Sequence, residues 1–156
     1  MEKVPAMLVA EDDPADILLL QRAIAKAGIK VHVEFTRNGH EVIEYLEGKS
    51  PRQGLSNPFP DLLVLDLRLP ALDGFEVLEW FHLYPQYRPP QVVVLSSSCY
   101  PPDLARANAL GVDHYLVKPS DPFELIGIVK RLEQCWRDVP AMVPVPQAVA
   151  YAPAAA

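Results

Sequence analysis

The stretch that decides the fold is DLLVLDLRLP, residues 61–70. Its first half is mostly apolar on both faces and contains neither glycine nor proline. Parallel strands that helices cover on both sides have this composition, so we predict a buried parallel strand over residues 61–65. The stretch then presents the carboxylate of Asp66 where the strand ends, at the edge where open α/β sheets bind ligands. An acid at a strand end is also a common turn residue, so the rest of the chain has to decide its role.

The composition describes one globular domain. Half of the 156 residues are apolar, and the net charge of −6 argues against non-specific binding of nucleic acid. The acids at residues 11–13 interrupt the first apolar run, so we predict no signal peptide. No apolar stretch approaches the length of a membrane span. Cys99 and Cys135 have no metal-ligand or disulfide spacing, which favours reduced thiols and a cytoplasmic location.

Strand-like and helix-like segments alternate along the chain. The predicted strands are residues 4–10, 31–35, 61–65, 91–95 and 113–117. The predicted helices begin after Asp13, after the capping-box spacing Asn38–Glu41, at Asp73, at Pro101, and after Ser120 or Asp121. Strict alternation predicts a doubly wound α/β fold with a five-stranded parallel sheet.

We expect one domain, residues 1–137, followed by a Pro/Ala-rich tail, residues 138–156, that is extended or disordered. Residues 49–60 contain several prolines and polar residues, and we expect a long surface loop there.

Reactive side chains follow four of the predicted strands. They are Glu11 and Asp12 after the first strand, Asp66 after the third, Ser96 after the fourth and Lys118 after the fifth. Because parallel strands end at the same edge, these acids, the hydroxyl and the ammonium should lie close together. The acid pair is either Glu11-Asp12 or Asp12-Asp13, and we prefer the first because Asp13 precedes Pro14 and is suited to capping the helix.

These motifs resemble a response-regulator receiver domain over residues 4–136. The resemblance rests on Glu11-Asp12, residues 66–70 with Asp73-Gly74, Ser96 after an apolar strand, and residues 115–119. It implies a flavodoxin-like receiver fold with strand order 2-1-3-4-5 and five helices. It also implies that Asp66 accepts a phosphoryl group from a histidine kinase with the help of Mg²⁺.

The resemblance assigns the other residues of the site. Asp12 and Asp66 are implied Mg²⁺ ligands, together with the backbone carbonyl of Arg68, while Glu11 acts through water. Lys118, the hydroxyl of Ser96 and the backbone N–H of Ser97 are implied to bind the phosphoryl oxygens.

Further roles concern switching and tuning. Tyr115 is either a half-buried strand aromatic or, by resemblance, the switch that follows Ser96 inward after phosphorylation. Arg68 and Ser98 each stand two positions beyond a site residue and are candidates for tuning hydrolysis. Pro119 after Lys118 matches the cis peptide bond of the family.

The resemblance also implies an output. The chain looks like a stand-alone bacterial regulator that works with a bacteriophytochrome-type histidine kinase, and it is no enzyme beyond assisting its own phosphotransfer and dephosphorylation. No DNA-binding segment is recognisable after Trp136, so we expect output through contacts with an unidentified protein. The face of the fourth helix, fifth strand and fifth helix is the expected contact surface and a candidate dimer interface. The alternative is a receiver-fold interaction scaffold that takes no phosphate.

Overall fold

The structure is a computed structural model that describes residues 3–49 and 58–137. Most of the predicted surface loop and the whole predicted tail lie outside the described residues. No helix in the described ranges has the length and apolar character that crossing a bilayer requires.

The described residues form one parallel five-stranded sheet, as predicted. The strands are β1 Ala6–Ala10, β2 His32–Thr36, β3 Leu62–Leu65, β4 Gln91–Ser96 and β5 His114–Val117. Their order in the sheet is β2-β1-β3-β4-β5. The predicted strand order and the doubly wound fold are therefore confirmed. The central strand β3 pairs with β1 on one side and with β4 on the other.

A helix follows each strand. The helices are α1 Pro14–Ala27, α2 Gly39–Leu46, α3 Gly74–Leu83, α4 Pro101–Ala109 and α5 Glu124–Arg137. Local signals in the sequence set several of the ends. The side chain of Asp13 accepts a hydrogen bond from the backbone N–H of Ala15, and Gly28 ends α1 with φ at 68°. These contacts confirm the predicted bounds of the first helix.

Each face of the sheet has its own core. Alternate residues of β3 and β4, such as Leu63 and Val94, pack with side chains from α2, α3 and α4. The residues between them, such as Val64 and Leu95, pack with α1 and α5 on the other face. This arrangement explains why the central strand is apolar on both faces: helices cover it on both sides.

Gly74 fixes the loop that follows the central strand. A Cβ atom at this position would lie 2.8 Å from Cα of Leu67 and still closer to the carbonyl oxygen of Asp66. The backbone N–H of Gly74 donates to the carbonyl of Leu67 at 3.0 Å. Only glycine allows this approach, so the start of α3 packs directly against the backbone that carries Asp66.

Four predictions about local structure need correction. The first strand begins at Ala6, because Val4 is already 52% exposed. The capping box of α2 is shifted, since the Glu41 side chain accepts from the N–H of Arg37 rather than that of Asn38. The last helix begins at Glu124, after a turn that Asp121 caps through the N–H of Phe123.

The fourth correction concerns Pro119. The described residues contain no cis peptide bond, so the bond between Lys118 and Pro119 is trans. The two isomers of an X–Pro bond differ by only about 0.5–1 kcal/mol, and the sequence around the bond does not choose between them.

Candidate functional site

Four strands bring the candidate residues to one edge of the sheet. Ala10 and Leu65 are paired in register at the ends of β1 and β3, so Glu11 and Asp66 leave the sheet side by side. The backbone N–H of Asp66 donates to the carbonyl of Ala10 at 3.1 Å, which extends the pairing by one residue. Lys118 follows β5 and donates its backbone N–H to the carbonyl of Ser96 at 2.8 Å. The predicted convergence is therefore present.

A carboxylate triplet stands at the centre of the site. Glu11, Asp12 and Asp66 each place a carboxylate oxygen within 4.8 Å of the others. Glu11 and Asp66 are buried and Asp12 is exposed. Three carboxylates without nitrogen or sulfur donors are a ligand set that suits a hard cation such as Mg²⁺. Asp13 is engaged as the cap of α1, so the geometry favours Glu11 with Asp12 as the acid pair.

Lys118 binds three carboxylates at once. Its Nζ atom lies 2.9 Å from Oδ2 of Asp66 and 3.0 Å from Oδ2 of Asp16, and it also donates to Oε1 of Glu11. Burial alone would lower the pKa of Lys118, but the hydrogen bond to Glu11 and the charge of Asp66 outweigh it and raise that pKa well above its ordinary value. The side chain is therefore an ammonium at physiological pH.

Glu11 is a direct partner of Lys118. Burial raises the pKa of Glu11, and this effect outweighs the hydrogen bond and charge of Lys118, which lower it. A second oxygen of Glu11 accepts from the backbone N–H of Asp13 at 3.2 Å. The role expected for Glu11, a contact to the metal through water, stays a prediction.

Asp16 belongs to the cluster although the sequence analysis did not include it. It lies in the first turn of α1, one turn beyond Asp12, and its carboxylate reaches Lys118. The sequence held no local signal for this contact, because Lys118 lies 102 residues further along the chain. Three carboxylates, those of Glu11, Asp16 and Asp66, therefore contact one ammonium, and Asp12 lies beside two of them.

Ser96 lies at the edge, but its hydroxyl is fully buried. Its Oγ atom accepts a hydrogen bond from the backbone N–H of Ser98 at 3.2 Å. Ser97, the next residue, is exposed. Tyr115 is 2% exposed, so it is buried rather than half-buried, and its hydroxyl donates to the carbonyl of Ser98 at 2.8 Å. The role of Tyr115 as a switch stays a prediction.

Arg68 and Ser98, the two candidates for tuning, meet at a residue that the sequence analysis missed. The guanidinium of Arg68 donates to Oδ2 of Asp103 at 2.8 Å, and the hydroxyl of Ser98 donates to the same oxygen at 2.7 Å. Asp103 lies in the first turn of α4 and is only 9% exposed. Nothing in its sequence context marks it, because its partners lie in two other loops.

Fold and site together define a receiver: a parallel sheet in the order 2-1-3-4-5 with an acid triplet and a lysine at its carboxyl edge. Residues 7–130 match the sequence model of the response regulator receiver domain. The chain therefore belongs to the response-regulator receiver family, whose members act in two-component signalling.

Similar proteins extend this assignment. The chain is 34% identical over 130 residues to the probable methanogenesis regulatory protein FilR2 of Methanothrix harundinacea, covering 83% of this chain and 82% of FilR2. Response regulator Rcp1 of Synechocystis is 31% identical over 130 residues, which cover 83% of this chain and 87% of Rcp1. The Mn²⁺-bound structure of Rcp1 matches with a TM-score of 0.73, 30% identity and coverage of 85% and 94%.

A third relative is a phytochrome response regulator. The phosphorylated cyanobacterial protein RcpA matches with a TM-score of 0.77 and 34% identity, covering 92% of this chain and 100% of RcpA. The predicted resemblance to phytochrome response regulators is confirmed.

Proposed function

We propose that the chain is a phosphoacceptor response regulator whose Asp66 receives a phosphoryl group from a sensor histidine kinase. One observation carries the proposal: the ammonium of Lys118 lies 2.9 Å from Oδ2 of Asp66, within a triplet of carboxylates at the functional edge of the sheet. Phosphoryl transfer requires mainly positioning and charge neutralisation from a protein, and this arrangement offers both.

Asp66 is the nucleophile of the proposed reaction. One of its carboxylate oxygens forms a bond to phosphorus while the bond between phosphorus and the kinase histidine breaks, and the histidine nitrogen keeps the electron pair. Hydrolysis of the acyl phosphate returns the carboxylate and releases inorganic phosphate. The chain assists both steps on itself and turns over no other substrate.

The surrounding residues neutralise charge. Lys118 pairs with a phosphoryl oxygen, as a charge that is already present beside Asp66. The residues that would hold Mg²⁺ are Glu11, Asp12 and Asp66, with the backbone carbonyl of Arg68 as a further ligand. When bound, the ion would supply positive charge to the phosphoryl oxygens.

The remaining oxygens of the phosphoryl group require a rearrangement. The N–H of Ser97 and the hydroxyl of Ser96 are the proposed donors, but the Ser96 hydroxyl is buried. The Ser96 side chain therefore has to turn outward, which would alter its hydrogen bond with the N–H of Ser98, its partner at 3.2 Å. Because the hydroxyl of Tyr115 donates to the carbonyl of Ser98, this movement would change the position of Tyr115 and therefore of β5. Phosphorylation adds nearly two negative charges and can in this way bias the face of α4, β5 and α5.

The proposed kinase is of the phytochrome type, because RcpA is a phytochrome response regulator. The proposed output is a protein contact through the face of α4, β5 and α5, which is also the proposed dimer interface.

The net charge of −6 gives no support for binding nucleic acid. The cytoplasmic location stays a prediction.

Acetyl phosphate tests the assignment of Asp66. Incubation with acetyl phosphate and Mg²⁺, followed by a phosphate-affinity gel, is expected to give a shifted band that Asp66→Asn lacks and that a chelator prevents. A band that persists in Asp66→Asn would show that phosphate goes elsewhere. Absence of any shifted band, from acetyl phosphate or from a phosphorylated kinase, would instead favour an interaction scaffold.

A phosphotransfer profile tests the partner. Histidine kinases from the same organism, each labelled with phosphate, are mixed with the chain for a short time. Transfer that is fastest from a phytochrome-type kinase is expected, and preference for a kinase without a light-sensing module would overturn this part of the proposal.

A further inference from the structure

Asp103 is a buried acid that joins two loops beside the phosphoacceptor. Its Oδ2 atom accepts from the guanidinium of Arg68 in the loop after β3 and from the hydroxyl of Ser98 in the loop after β4. The Asp103 side chain is 12% exposed, whereas that of Arg68 is 66% exposed. The acid is thus the fixed member of the ion pair, and the arginine reaches it from the surface.

Both partners of Asp103 are linked to the phosphoryl site. The backbone N–H of Arg68 donates to Oδ1 of Asp66 at 3.3 Å. The backbone N–H of Ser98 donates to the Oγ atom of Ser96, and the Ser98 carbonyl accepts from Tyr115. The position of α4 is therefore connected with Asp66 on one side and with the proposed switch residues on the other.

We propose that Asp103 is a positioning residue that holds the guanidinium of Arg68 away from the phosphoryl group on Asp66. The inference rests on the proposed function, phosphorylation of Asp66. Arg68 stands two residues beyond Asp66, and its long side chain is a natural partner for phosphoryl oxygens. A buried carboxylate 2.8 Å from the guanidinium competes for the same donor.

The competition has a consequence for the lifetime of the acyl phosphate. A guanidinium on the phosphoryl oxygens would stabilise the acyl phosphate and obstruct the water that attacks phosphorus. By retaining Arg68, Asp103 keeps hydrolysis fast and limits the phosphorylated fraction. Because Asp103 lies at the start of α4, a protein that binds α4 and shifts it would release Arg68 and prolong the signal.

Asp103→Asn isolates the charge. Asparagine keeps an oxygen that can accept from Ser98 but attracts the guanidinium much less. Each protein is loaded with acetyl phosphate and Mg²⁺ and desalted, and the decay of the shifted band is followed at constant Mg²⁺. We expect the half-life of Asp103→Asn to be longer than that of the wild type by roughly three- to tenfold.

A double-mutant cycle separates positioning from mere structural damage. Asp103→Asn introduced into Arg68→Met is expected to change the half-life of that variant by less than about twofold, because the released group is missing. The matched control is Glu79→Gln. Glu79 forms an exposed ion pair with Arg106 of α4 at 2.9 Å, and the substitution removes its charge. Glu79→Gln is expected to decay like the wild type.

Three outcomes would overturn the inference: an unchanged half-life in Asp103→Asn, an equal change in the Arg68→Met background, or a similar change in Glu79→Gln. Failure of the proposed function is distinct, since the wild type would then give no Asp66-dependent band.

If Asp103→Asn does not fold, the wild type supplies a second measurement. The nitrogen-15 signal of the Arg68 guanidinium, assigned by its loss in Arg68→Met, should keep its position when a beryllofluoride phosphate mimic is added. A large movement of this signal would show that the phosphate mimic alone separates Arg68 from Asp103, and this would overturn the inference.

Discussion

The two ends of the sheet carry the same residue type in opposite circumstances. At the amino end, Asp61 accepts from the backbone N–H of Ala6 at 2.9 Å and lies 3.4 Å from the ammonium of Lys3. Asp113 accepts from the N–H of Val92 at 2.7 Å and from Arg88 at 2.9 Å. At the carboxyl end, three carboxylates share Lys118, and a fourth, Asp12, lies beside two of them.

The comparison shows that carboxylates stabilise the fold at the amino end of the sheet and form the functional site at its carboxyl end. Each acid of the amino end has a backbone donor and a cation of its own, so its charge is matched and the strand start is fixed. At the carboxyl end negative charge is in excess, which disfavours the folded chain in isolation and favours binding of a cation. Variants at the two ends should therefore separate stability from phosphorylation.

The largest effect is expected when the carboxyl end loses its cation. Lys118→Met should lower the rate of phosphorylation by acetyl phosphate by roughly two to three orders of magnitude, because a preorganised positive charge is removed from the phosphoryl oxygens. The measurement is the initial rate on a phosphate-affinity gel. The matched control is Lys3→Met, which removes the ion-pair partner of Asp61 at the other end and should leave the rate unchanged. Similar phosphorylation rates for Lys118→Met and Lys3→Met would contradict the functional difference between the two ends of the sheet.

The next effect concerns stability at the amino end. Asp113→Ala should lower the free energy of unfolding by roughly 2–3 kcal/mol, because the N–H of the buried residue Val92 loses its side-chain acceptor and the guanidinium of Arg88 loses its carboxylate partner. Urea denaturation gives this value, and the phosphorylation rate of the folded protein should match the wild type. Glu79→Ala, in an exposed pair, is the control and should cost less than about 1 kcal/mol. Equal losses in the two variants would contradict the role given to Asp113.

Removing an acid from the carboxyl end of the sheet should instead raise the free energy of unfolding. Asp12→Asn relieves repulsion within the triplet, so without Mg²⁺ the free energy of unfolding should rise by about 1 kcal/mol. Stabilisation by added Mg²⁺ should shrink, because a ligand is lost. Asp13→Asn removes the same charge one residue away but keeps a good helix cap, and it should retain the response to Mg²⁺. A destabilised Asp12→Asn would argue against excess charge at this end.

Backbone strain offers a smaller test in the loop after β3. Ala71 has φ at 64°, the only non-glycine residue with positive φ in the described ranges. Ala71→Gly should raise the free energy of unfolding by about 0.5–1 kcal/mol, since glycine adopts this conformation without a Cβ clash. Ala25→Gly on the exposed face of α1 should have the reverse effect, a loss of about 1 kcal/mol. Loss of stability in both variants would show that the loop relaxes without cost.

The smallest effect is a pH dependence at the start of β5. Burial lowers the pKa of His114 from its ordinary value of 6.5, against the charge of Asp113. His114 therefore takes up a proton more readily in the unfolded chain than in the folded protein. Its contribution to stability is lost as the pH falls from 6.5 toward the lower pKa of the folded state. Urea denaturation between pH 8 and pH 5 should show a shallower decline for His114→Gln than for the wild type. Parallel curves would mean that His114 has the same proton affinity in both states.

The sequence predicted most of the fold because its signals are local. The apolar strands, the cap at Asp13 and the glycine at Gly28 each depend on neighbours in the chain, and the structure has them as predicted. Strand ends and the last helix moved by a few residues, since Asp121 caps a turn before Glu124 rather than the helix itself.

For the site, the sequence determined which reactive residues leave the strands at the same edge, because a parallel sheet aligns its strand ends whatever the details of packing. Glu11, Asp12, Asp66 and Lys118 were predictable for this reason. Only the tertiary structure decided that Asp16 would bind Lys118 and that Asp103 would hold Arg68, residues separated by 102 and 35 positions in the chain. Such contacts depend on how the helices pack against the sheet, and no local pattern in the chain predicts which distant residues this packing brings together.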